Sequence, residues 1–254
     1  QRLDDLHQMF ADPEIDGIWC VRGGYGCTRI LPHIDYKLIR KNPKVIIGYS
    51  DITALLQGIH QETGLIGFHG PVGTSDFTDY TLEQMQAVVM QNKATYTIPF
   101  FDNPKALDQD EYRYEVIHPG VAEGELAGGN LSLLAAMTGT DFECKVKGKL
   151  LFIEDVGEQP YRIDRMLTQI QQNQNLNDAA GIVLGVFNDC KARNPEYSLT
   201  LMECLKDQLA GLRIPVIYGF SFGHISNQCT FPIGIRARLD TTAKTVTLLE
   251  SSLR

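Results

Sequence analysis

The sequence predicts an α/β protein that is built from two domains. Short apolar segments with the composition of buried strands alternate with longer segments in which apolar residues recur at helical spacing. This alternation is typical of a parallel sheet whose two faces are covered by helices. Toward the C-terminus the pattern changes to strict alternation of apolar and polar residues, which indicates antiparallel or mixed strand pairing.

The first domain is predicted to span residues 1–95 and to contain a parallel sheet of the Rossmann or flavodoxin type. It opens with a helix whose apolar residues recur at helical spacing: Leu3, Leu6, Met9 and Phe10. Three strands follow, at residues 17–21, 45–47 and 66–69, and a last helix covers residues 81–91. The sequence has no starting Met and enters its first strand after a single helix, so we expect it to begin inside this domain.

Residues 96–120 are polar and contain prolines, so they predict an irregular linker between the domains. The second domain, residues 121–254, is also predicted to be α/β. Its elements, in order, are a tight glycine turn at 128–130 that leads into a helix, a strand at 149–156, a helix at 161–173, a strand at 180–187, a helix at 199–209, a strand at 215–224 and two final strands joined by a Thr-rich turn.

Composition and charge exclude several classes of protein. Acidic residues outnumber basic ones by 31 to 23, and no basic stripe is present, so we expect no binding to nucleic acid. No apolar run reaches the roughly 18 residues that a membrane span needs, and the N-terminus lacks the order of a signal peptide. The six cysteines contain no C-x-x-C pair, which predicts reduced thiols rather than a metal site or a disulfide framework.

Ser50 lies where a predicted strand turns sharply into a helix, in the segment KVIIGYSDITALL at residues 44–56. Its hydroxyl could cap the helix, because a serine oxygen at that position can accept a hydrogen bond from a free backbone N–H. It could also be a nucleophile on an elbow, with the same free N–H groups stabilising a developing negative charge. This segment alone leaves both interpretations open.

A serine nucleophile needs a base, a group that orients the base, and donors for the oxyanion. His69 and His224 each end a predicted strand beside glycine, and the carboxyl ends of strands are where open α/β sheets bind ligands. Glu154 and Asp155 end a strand in the same way. Ser50, Glu154 and His224 therefore share one topological position across the two domains, which favours a common site.

Two glycine clusters were tested for cofactor binding. RGGYG at residues 22–26 follows a predicted strand and offers bare backbone N–H groups, as a phosphate cradle or an oxyanion hole would. It does not match the dinucleotide-binding motif or the P-loop motif. GGN at residues 128–130 does not match these motifs either. We therefore expect no cofactor and no metal.

Eight motifs occur in a fixed order along the chain: RGGYG, GYSDITALL, GFHGP, GGNLSLL, GTDFE, LLFIEDVGEQPYRIDRML, VLGVF and GFSFGH. In this order they resemble the LD-carboxypeptidases, serine peptidase family S66, over essentially the whole chain. The resemblance implies a catalytic triad of Ser50, Glu154 and His224. It also implies that the backbone N–H groups of Asp51 and Gly24 bind the oxyanion.

The same resemblance implies a substrate and a setting. The substrate would be a murein tetrapeptide, from which the terminal D-alanine is removed at the L-centre of a diamino acid during cell-wall recycling. The protein would be a homodimer in the cytoplasm. A carboxypeptidase must bind a free carboxylate, which suits an arginine, so Arg22 and Arg162 are candidate substrate-binding residues together with Tyr25.

Two alternatives remain. A related serine amidase activity detoxifies aminoacyl-nucleotide antibiotics, and its members add an aromatic side chain that stacks on the base. The only tryptophan, Trp19, falls in a strand that is predicted to be buried, which argues against this activity. A non-catalytic module that binds a small ligand between two lobes is the alternative from another class, with Ser50 as a helix cap.

Overall fold

Strands form two sheets in the part of the chain that the structure, a computed structural model, describes: residues 1–91 and 93–253. In chain order the strands are β1 (Gly17–Trp19), β2 (Val45–Gly48), β3 (Phe68–His69), β4 (Tyr96–Pro99), β5 (Glu115–His118), β6 (Val121–Asn130), β7 (Lys149–Glu154), β8 (Gly181–Leu184), β9 (Val216–Tyr218), β10 (Phe231–Pro232), β11 (Arg236–Asp240) and β12 (Thr245–Leu248). The helices are α1 (Arg2–Ala11), α2 (Cys27–Ile30), α3 (Tyr36–Lys41), α4 (Ile52–Thr63), α5 (Asp79–Val89), α6 (Leu131–Met137), α7 (Pro160–Asn173) and α8 (Leu201–Leu209).

The sheet topology confirms the predicted α/β class. The first sheet has the order β1-β2-β3-β10, and its first three strands are parallel. The second sheet has the order β4-β12-β11-β6-β7-β8-β9-β5. Strands β6 to β9 are parallel at its centre, whereas antiparallel strands complete both edges. The mixed pairing that was predicted for the end of the chain is therefore present.

The segment at residues 96–120 is not the irregular linker that was predicted. It contributes β4, which pairs with β12, and β5, which pairs with β9, so it supplies both edge strands of the second sheet. These strands have four residues each and are partly exposed, so they lack the apolar pattern by which a buried strand is recognised. The domain limits themselves remain a prediction.

The tight turn that was predicted at residues 128–130 is also absent, because these residues end the ten-residue strand β6. Gly128 lies so close to the neighbouring strand β7 that a Cβ atom there would overlap the carbonyl oxygen of Phe152. Gly129 faces α4, and a Cβ atom on it would lie 2.6 Å from the Thr53 side chain. The two glycines thus allow close approach of backbones inside the fold rather than a reversal of the chain.

The helix that follows Ser50 lies between the two sheets. Helix α4 contacts both β2 and β6, and all its residues from Ile52 to Ile59 are buried. It ends at Gly64, whose φ of 74° is the left-handed conformation that glycine adopts readily, and whose N–H donates to the carbonyl of His60. Gln57 donates from Nε2 to the Gly128 carbonyl at 2.6 Å, which joins the helix to the second sheet.

One hydrophobic cluster spans both sheets. It contains Ile46 and Phe68 from the first sheet together with Phe152 and Ile217 from the second. A second cluster packs the helices α6, α7 and α8 against the other face of the larger sheet. Strand β10 strengthens the connection, because it comes from the C-terminal half of the chain and pairs with β3 in the first sheet.

Trp19 is not buried as the sequence suggested. Its side chain is 47% exposed on the edge strand β1, with Nε1 donating to the Pro71 carbonyl at 2.8 Å and the ring packed edge-on against Phe77. All six cysteines are free thiols, and five of them are buried. None of the helices in residues 1–91 and 93–253 is both long enough and apolar enough to cross a membrane.

Candidate active site

Ser50 occupies the turn between β2 and α4 with a φ of 64°. This left-handed conformation is uncommon for a residue other than glycine and stores backbone strain of about 1–3 kcal/mol, and such strain occurs most often at functional sites. Within the described part of the chain, the Ser50 hydroxyl makes no hydrogen bond to the first turn of α4, so it does not act there as a cap. A strained serine between a strand and a helix has the geometry of a nucleophile elbow.

The RGGYG loop lies directly against this elbow. A Cβ atom on Gly23 would lie 2.7 Å from Cβ of Ser50 and 2.8 Å from its Oγ, so only glycine fits beside the serine. The buried carboxylate of Asp51 accepts a hydrogen bond from the backbone N–H of Cys27 at 3.1 Å, which ties the end of the loop to the elbow. Arg2 reaches from α1 and donates to the Tyr25 carbonyl at 2.9 Å.

The two predicted oxyanion donors belong to this loop and elbow. Neither the backbone N–H of Asp51 nor that of Gly24 has a hydrogen-bond acceptor within residues 1–91 and 93–253. Gly24 has a φ of 130°, and no heavy atom lies within 4 Å of the place where a Cβ atom would be. Both donors are therefore free to bind an added oxygen atom.

His224 and Glu154 form a hydrogen-bonded pair. Nδ1 of His224 lies 2.7 Å from Oε2 of Glu154, which is the last residue of β7 and is fully buried. A carboxylate can only accept, so Nδ1 carries the proton and Nε2 is left with its lone pair. His224 follows β9 on the chain segment that crosses to β10, and its side chain is 18% exposed.

The pair shifts the pKa of both partners. Burial alone would lower the pKa of His224, but the hydrogen bond and the negative charge of Glu154 raise it above its ordinary value of 6.5. Burial alone would raise the pKa of Glu154, but the hydrogen bond from His224 and the positive charge of its protonated ring lower it. The carboxylate therefore stays ionised and orients the imidazole.

The elbow and the pair meet through Tyr49. The ring of Tyr49, which directly precedes Ser50, lies 4.8 Å from the His224 ring, centroid to centroid, in an edge-on arrangement. No hydrogen bond joins Ser50 to His224 among the described residues. Such a bond is often long or absent in a free enzyme and forms in the complex with substrate. Ser50 thus directly follows the residue whose ring contacts His224, the partner of Glu154.

Asn130 is a site residue that the sequence reasoning missed. Its Nδ2 donates to Oε1 of Glu154 at 3.2 Å and to Oδ1 of Asp155 at 3.0 Å, so it links the two neighbouring carboxylates. Burial and the adjacent Glu154 charge raise the pKa of Asp155 to about 6, against its hydrogen bonds from Ser132 and Asn130. The signal in the sequence was an asparagine directly before a helix, where it also caps α6 by accepting from Leu133.

His69, the other histidine at a strand end, lies behind the site. It is almost completely buried among Tyr49, Phe152 and Phe222, and neither ring nitrogen has a hydrogen-bond partner in the described chain. Burial lowers the pKa of His69 to about 4, so the ring is neutral at ordinary pH. It makes no hydrogen bond to Glu154 and does not share the geometry of His224.

A polar cavity of about 320 Å³ opens beside His224. Both halves of the chain line it, with Tyr49 and Asp76 from the first half, Lys105 and Tyr112 from residues 96–120, and Asn188 from the second half. A cleft between the halves of the chain is a usual place for a ligand site.

The three predicted substrate-binding residues do not line this cavity. Arg162 is held on the surface of α7, where Nη1 lies 3.2 Å from Oε2 of Glu158 and Nε donates to the hydroxyl of Tyr161. Arg22 is exposed, and Tyr25 is 81% exposed at the RGGYG loop. Among the described residues, no group of three or more His, Cys, Asp or Glu side chains is arranged to hold a metal ion.

Comparison with protein families identifies the family to which the chain belongs. Residues 1–70 match the LD-carboxypeptidase N-terminal domain, and residues 123–239 match the LD-carboxypeptidase C-terminal domain. The chain belongs to the LD-carboxypeptidase family. Its relatives include the probable murein peptide carboxypeptidase of Bacillus subtilis, which is 44% identical over 248 residues that make up 98% of this chain and 76% of the relative.

Two further relatives of this chain differ in the function that their names state. The murein tetrapeptide carboxypeptidase of Pseudomonas aeruginosa is 34% identical over 94% of this chain and 77% of its own length. The microcin C7 self-immunity protein MccF of Escherichia coli is 30% identical over 100% of this chain and 79% of its own length.

Solved structures of proteins with both kinds of name are similar to this chain. MccF in complex with glutamyl sulfamoyl guanosine superposes with a TM-score of 0.87 at 28% identity, covering 100% of this chain and 81% of that one. Muramoyltetrapeptide carboxypeptidase from Oxalobacter formigenes superposes with a TM-score of 0.81 at 30% identity, covering 97% and 81%. Family membership establishes a hydrolase of the serine carboxypeptidase type.

Proposed function

We propose that the protein is a serine LD-carboxypeptidase that removes the terminal D-alanine from the L-centre of a diamino acid in murein tetrapeptides. The names of its relatives support the substrate class. The observation that carries the proposal is the 2.7 Å hydrogen bond between the buried Glu154 and His224, next to the strained elbow of Ser50. These are the three parts that nucleophilic catalysis by serine requires.

In the proposed mechanism, Nε2 of His224 takes the proton of the Ser50 hydroxyl while Oγ attacks the carbonyl carbon of the scissile peptide bond. Glu154 keeps the imidazole in the required tautomer and stabilises its protonated form. His224 then gives the proton to the nitrogen of the leaving D-alanine, which breaks the peptide bond. Water, activated by the same histidine, hydrolyses the acyl-enzyme and restores Ser50.

The tetrahedral intermediate carries a negative oxygen, and we propose that the backbone N–H groups of Asp51 and Gly24 bind it. Both groups lack another acceptor in the described chain and lie on the elbow and on the loop that packs against it. Each donor in such an arrangement contributes about 3 to 4 kcal/mol to the stability of the transition state.

The proposal is tested by incubating the protein with a defined L,D-tetrapeptide and measuring free D-alanine by mass spectrometry. Ser50→Ala and His224→Ala should each abolish turnover with an unchanged circular dichroism spectrum, because the two side chains act as one unit. Ser50→Ala should also abolish labelling by a fluorophosphonate, whereas Ser198→Ala, at a half-buried serine that does not line the cavity, should change neither result. Turnover that survives in His224→Ala but is lost in His69→Ala would mean that His69 is the base.

The aminoacyl-nucleotide amidase activity is the second candidate, favoured by the structural similarity to MccF. The partly exposed Trp19 does not line the cavity beside His224, and the aromatic residues that do are Tyr49 and Tyr112. Comparing the hydrolysis rates of a tetrapeptide and an aminoacyl sulfamoyl nucleoside decides between the two activities. Faster hydrolysis of the nucleoside would assign the amidase activity and leave the proposed triad unchanged.

We also propose that the enzyme is a homodimer and acts in the cytoplasm, as the family resemblance implies. The free state of all six cysteines fits a reducing compartment. Light scattering coupled to size-exclusion chromatography tests the first statement, because a dimer would elute at twice the mass of the chain.

A further inference from the structure

A carboxypeptidase must distinguish a free C-terminal carboxylate from an amide, and the cavity beside His224 contains one side chain with the charge for this task. Of the described residues that line the cavity, Lys105 is the only lysine or arginine. Asp76 supplies a negative charge to the same cavity, so without Lys105 the cavity would repel a carboxylate.

The Lys105 ammonium group is not neutralised by the protein. In the described chain no carboxylate lies within 4.0 Å of its Nζ, which instead lies 5.1 Å from the centroid of the Tyr112 ring. Tyr112 is buried, and its hydroxyl is fixed by a 3.1 Å hydrogen bond to Oδ1 of Asn188. An aromatic ring can hold a cation in place while leaving its hydrogen-bond donors free for an anion.

The backbone that carries Lys105 is fixed as well. Lys105 lies in a 3-10 helix, Pro104–Leu107, and its N–H donates to Oδ1 of Asn103 at 3.0 Å. Its carbonyl accepts from the N–H groups of Asp108 and Gln109. By contrast, Arg162 and Lys191 do not line the cavity and are each paired with a carboxylate, Arg162 with Glu158 and Lys191 with Glu111.

We propose that Lys105 binds the terminal carboxylate of the substrate and so determines the preference for peptides with a free C-terminus. This inference rests on the proposed function, because it concerns the substrate of the same site. Lys105 acts in binding and takes no part in the proton transfers, so its loss should raise KM far more than it lowers kcat.

The experiment compares two substrates, the L,D-tetrapeptide acid and its C-terminal amide, with the wild type and three variants. Lys105→Met should raise KM for the acid about tenfold, the effect of one exposed charged hydrogen bond, and leave kcat within about twofold. KM for the amide should not change. Lys105→Arg keeps the charge and should keep most of the preference for the acid.

Lys93→Met is the matched control. Lys93 is also exposed and lies over an aromatic ring, 4.7 Å from the centroid of Tyr96, but it does not line the cavity. This variant should have the kinetic constants of the wild type with both substrates.

The possible results distinguish an error in the role of Lys105 from an error in the proposed function. If the wild type releases D-alanine and Lys105→Met has an unchanged KM for the acid, the inference is wrong and the proposed function stands. An equal rise in KM for acid and amide would also overturn it, since the charge would then have no part in the preference. If the wild type releases neither D-alanine from the acid nor D-alanine amide from the amide, both the function and the inference are wrong.

Discussion

The pairing of His224 with Glu154 has a consequence for the pH dependence of turnover. A general base must be neutral, and Glu154 raises the pKa of His224 above 6.5. The value of kcat/KM should therefore fall as the pH drops through a pKa that lies above 6.5. Glu154→Gln removes the negative charge of Glu154, and burial, which lowers the pKa of the histidine, then outweighs the remaining charge of Asp155, so this decline should move to lower pH.

The measurement is kcat/KM as a function of pH for both proteins, since this ratio reports the pKa values of the free enzyme. The maximal rate of Glu154→Gln should also fall on the order of a thousandfold or more, because the required tautomer is no longer favoured. A decline of kcat/KM at the same pH in both proteins would show that Glu154 does not raise the pKa of His224.

Gly23 gives a second test at the level of single residues. In Gly23→Ala the added methyl group would collide with Cβ and Oγ of Ser50, so the hydroxyl must move. A displacement of about 1 Å at the nucleophile lowers the rate on the order of a hundredfold. Gly211→Ala is the control, because nothing lies within 4 Å of its Cβ position. Wild-type turnover in Gly23→Ala would contradict the placement of the loop against the elbow.

Sequence reasoning proposed site residues from their positions near strand ends. Glu154 ends β7 and Ser50 follows β2 closely, whereas His224 lies farther along the chain because β9 ends at Tyr218, before the predicted end of that strand. Asn130 was missed because its role depends on register: it is paired directly with Glu154 across β6 and β7. The two arginines that were predicted to bind the substrate carboxylate do not line the cavity, and Arg162 pairs instead with Glu158, which precedes α7. Contacts between side chains that are far apart in the sequence cannot be derived from one sequence alone.

At the scale of elements, the contact between β6 and β7 depends on a glycine. Gly128 and Gly139 both have φ in the left-handed region, at 140° and 79°, but only at Gly128 would a Cβ atom meet a neighbouring backbone. Gly139→Ala should therefore cost only the backbone strain, about 1–2 kcal/mol. Gly128→Ala adds a steric clash and should cost more than about 4 kcal/mol or prevent folding.

Urea unfolding followed by circular dichroism measures the free energy of unfolding of the Gly128→Ala and Gly139→Ala variants. If both variants lose the same free energy of unfolding, β6 and β7 can separate enough to accept a side chain without further destabilisation. The clash with Phe152 would then have no structural effect.

The elements that sequence reasoning missed share a physical cause. Strands β4 and β5 form the edges of a sheet and are only partly buried, and β10 has two residues. Strand β6 contains three glycines and two glutamates, which have low strand propensity, and tertiary pairing with β7 and β11 overrides it. The central strands, which are apolar and buried on both faces, were predicted correctly because their own composition identifies them.

At the scale of the whole molecule, the shared core predicts that the two halves unfold together. Phe231 on β10 is fully buried, and its ring lies 5.0 Å from the rings of both Phe152 and Phe222. Phe231→Ala should cost about 3–5 kcal/mol. Both the wild type and this variant should unfold in one transition.

Two probes test this expectation. Fluorescence of the single tryptophan, Trp19, reports on the first sheet, whereas far-ultraviolet circular dichroism reports on the whole chain. Coincident denaturation curves are expected in both proteins. A fluorescence transition that separates from the circular dichroism transition would show that the halves unfold independently.

The chain crosses from the second sheet to the first between β9 and β10, and this crossing also limits which hybrid proteins can be made from this chain and its relatives. His224 lies on that crossing, and β10 completes the sheet from which the Ser50 elbow projects. A chimaera that joins residues 1–120 of this chain to the second half of a relative would pair β3 with a foreign β10 and place a foreign histidine against Tyr49. We therefore expect hybrids to remain functional more often when β3 and β10 come from the same parent.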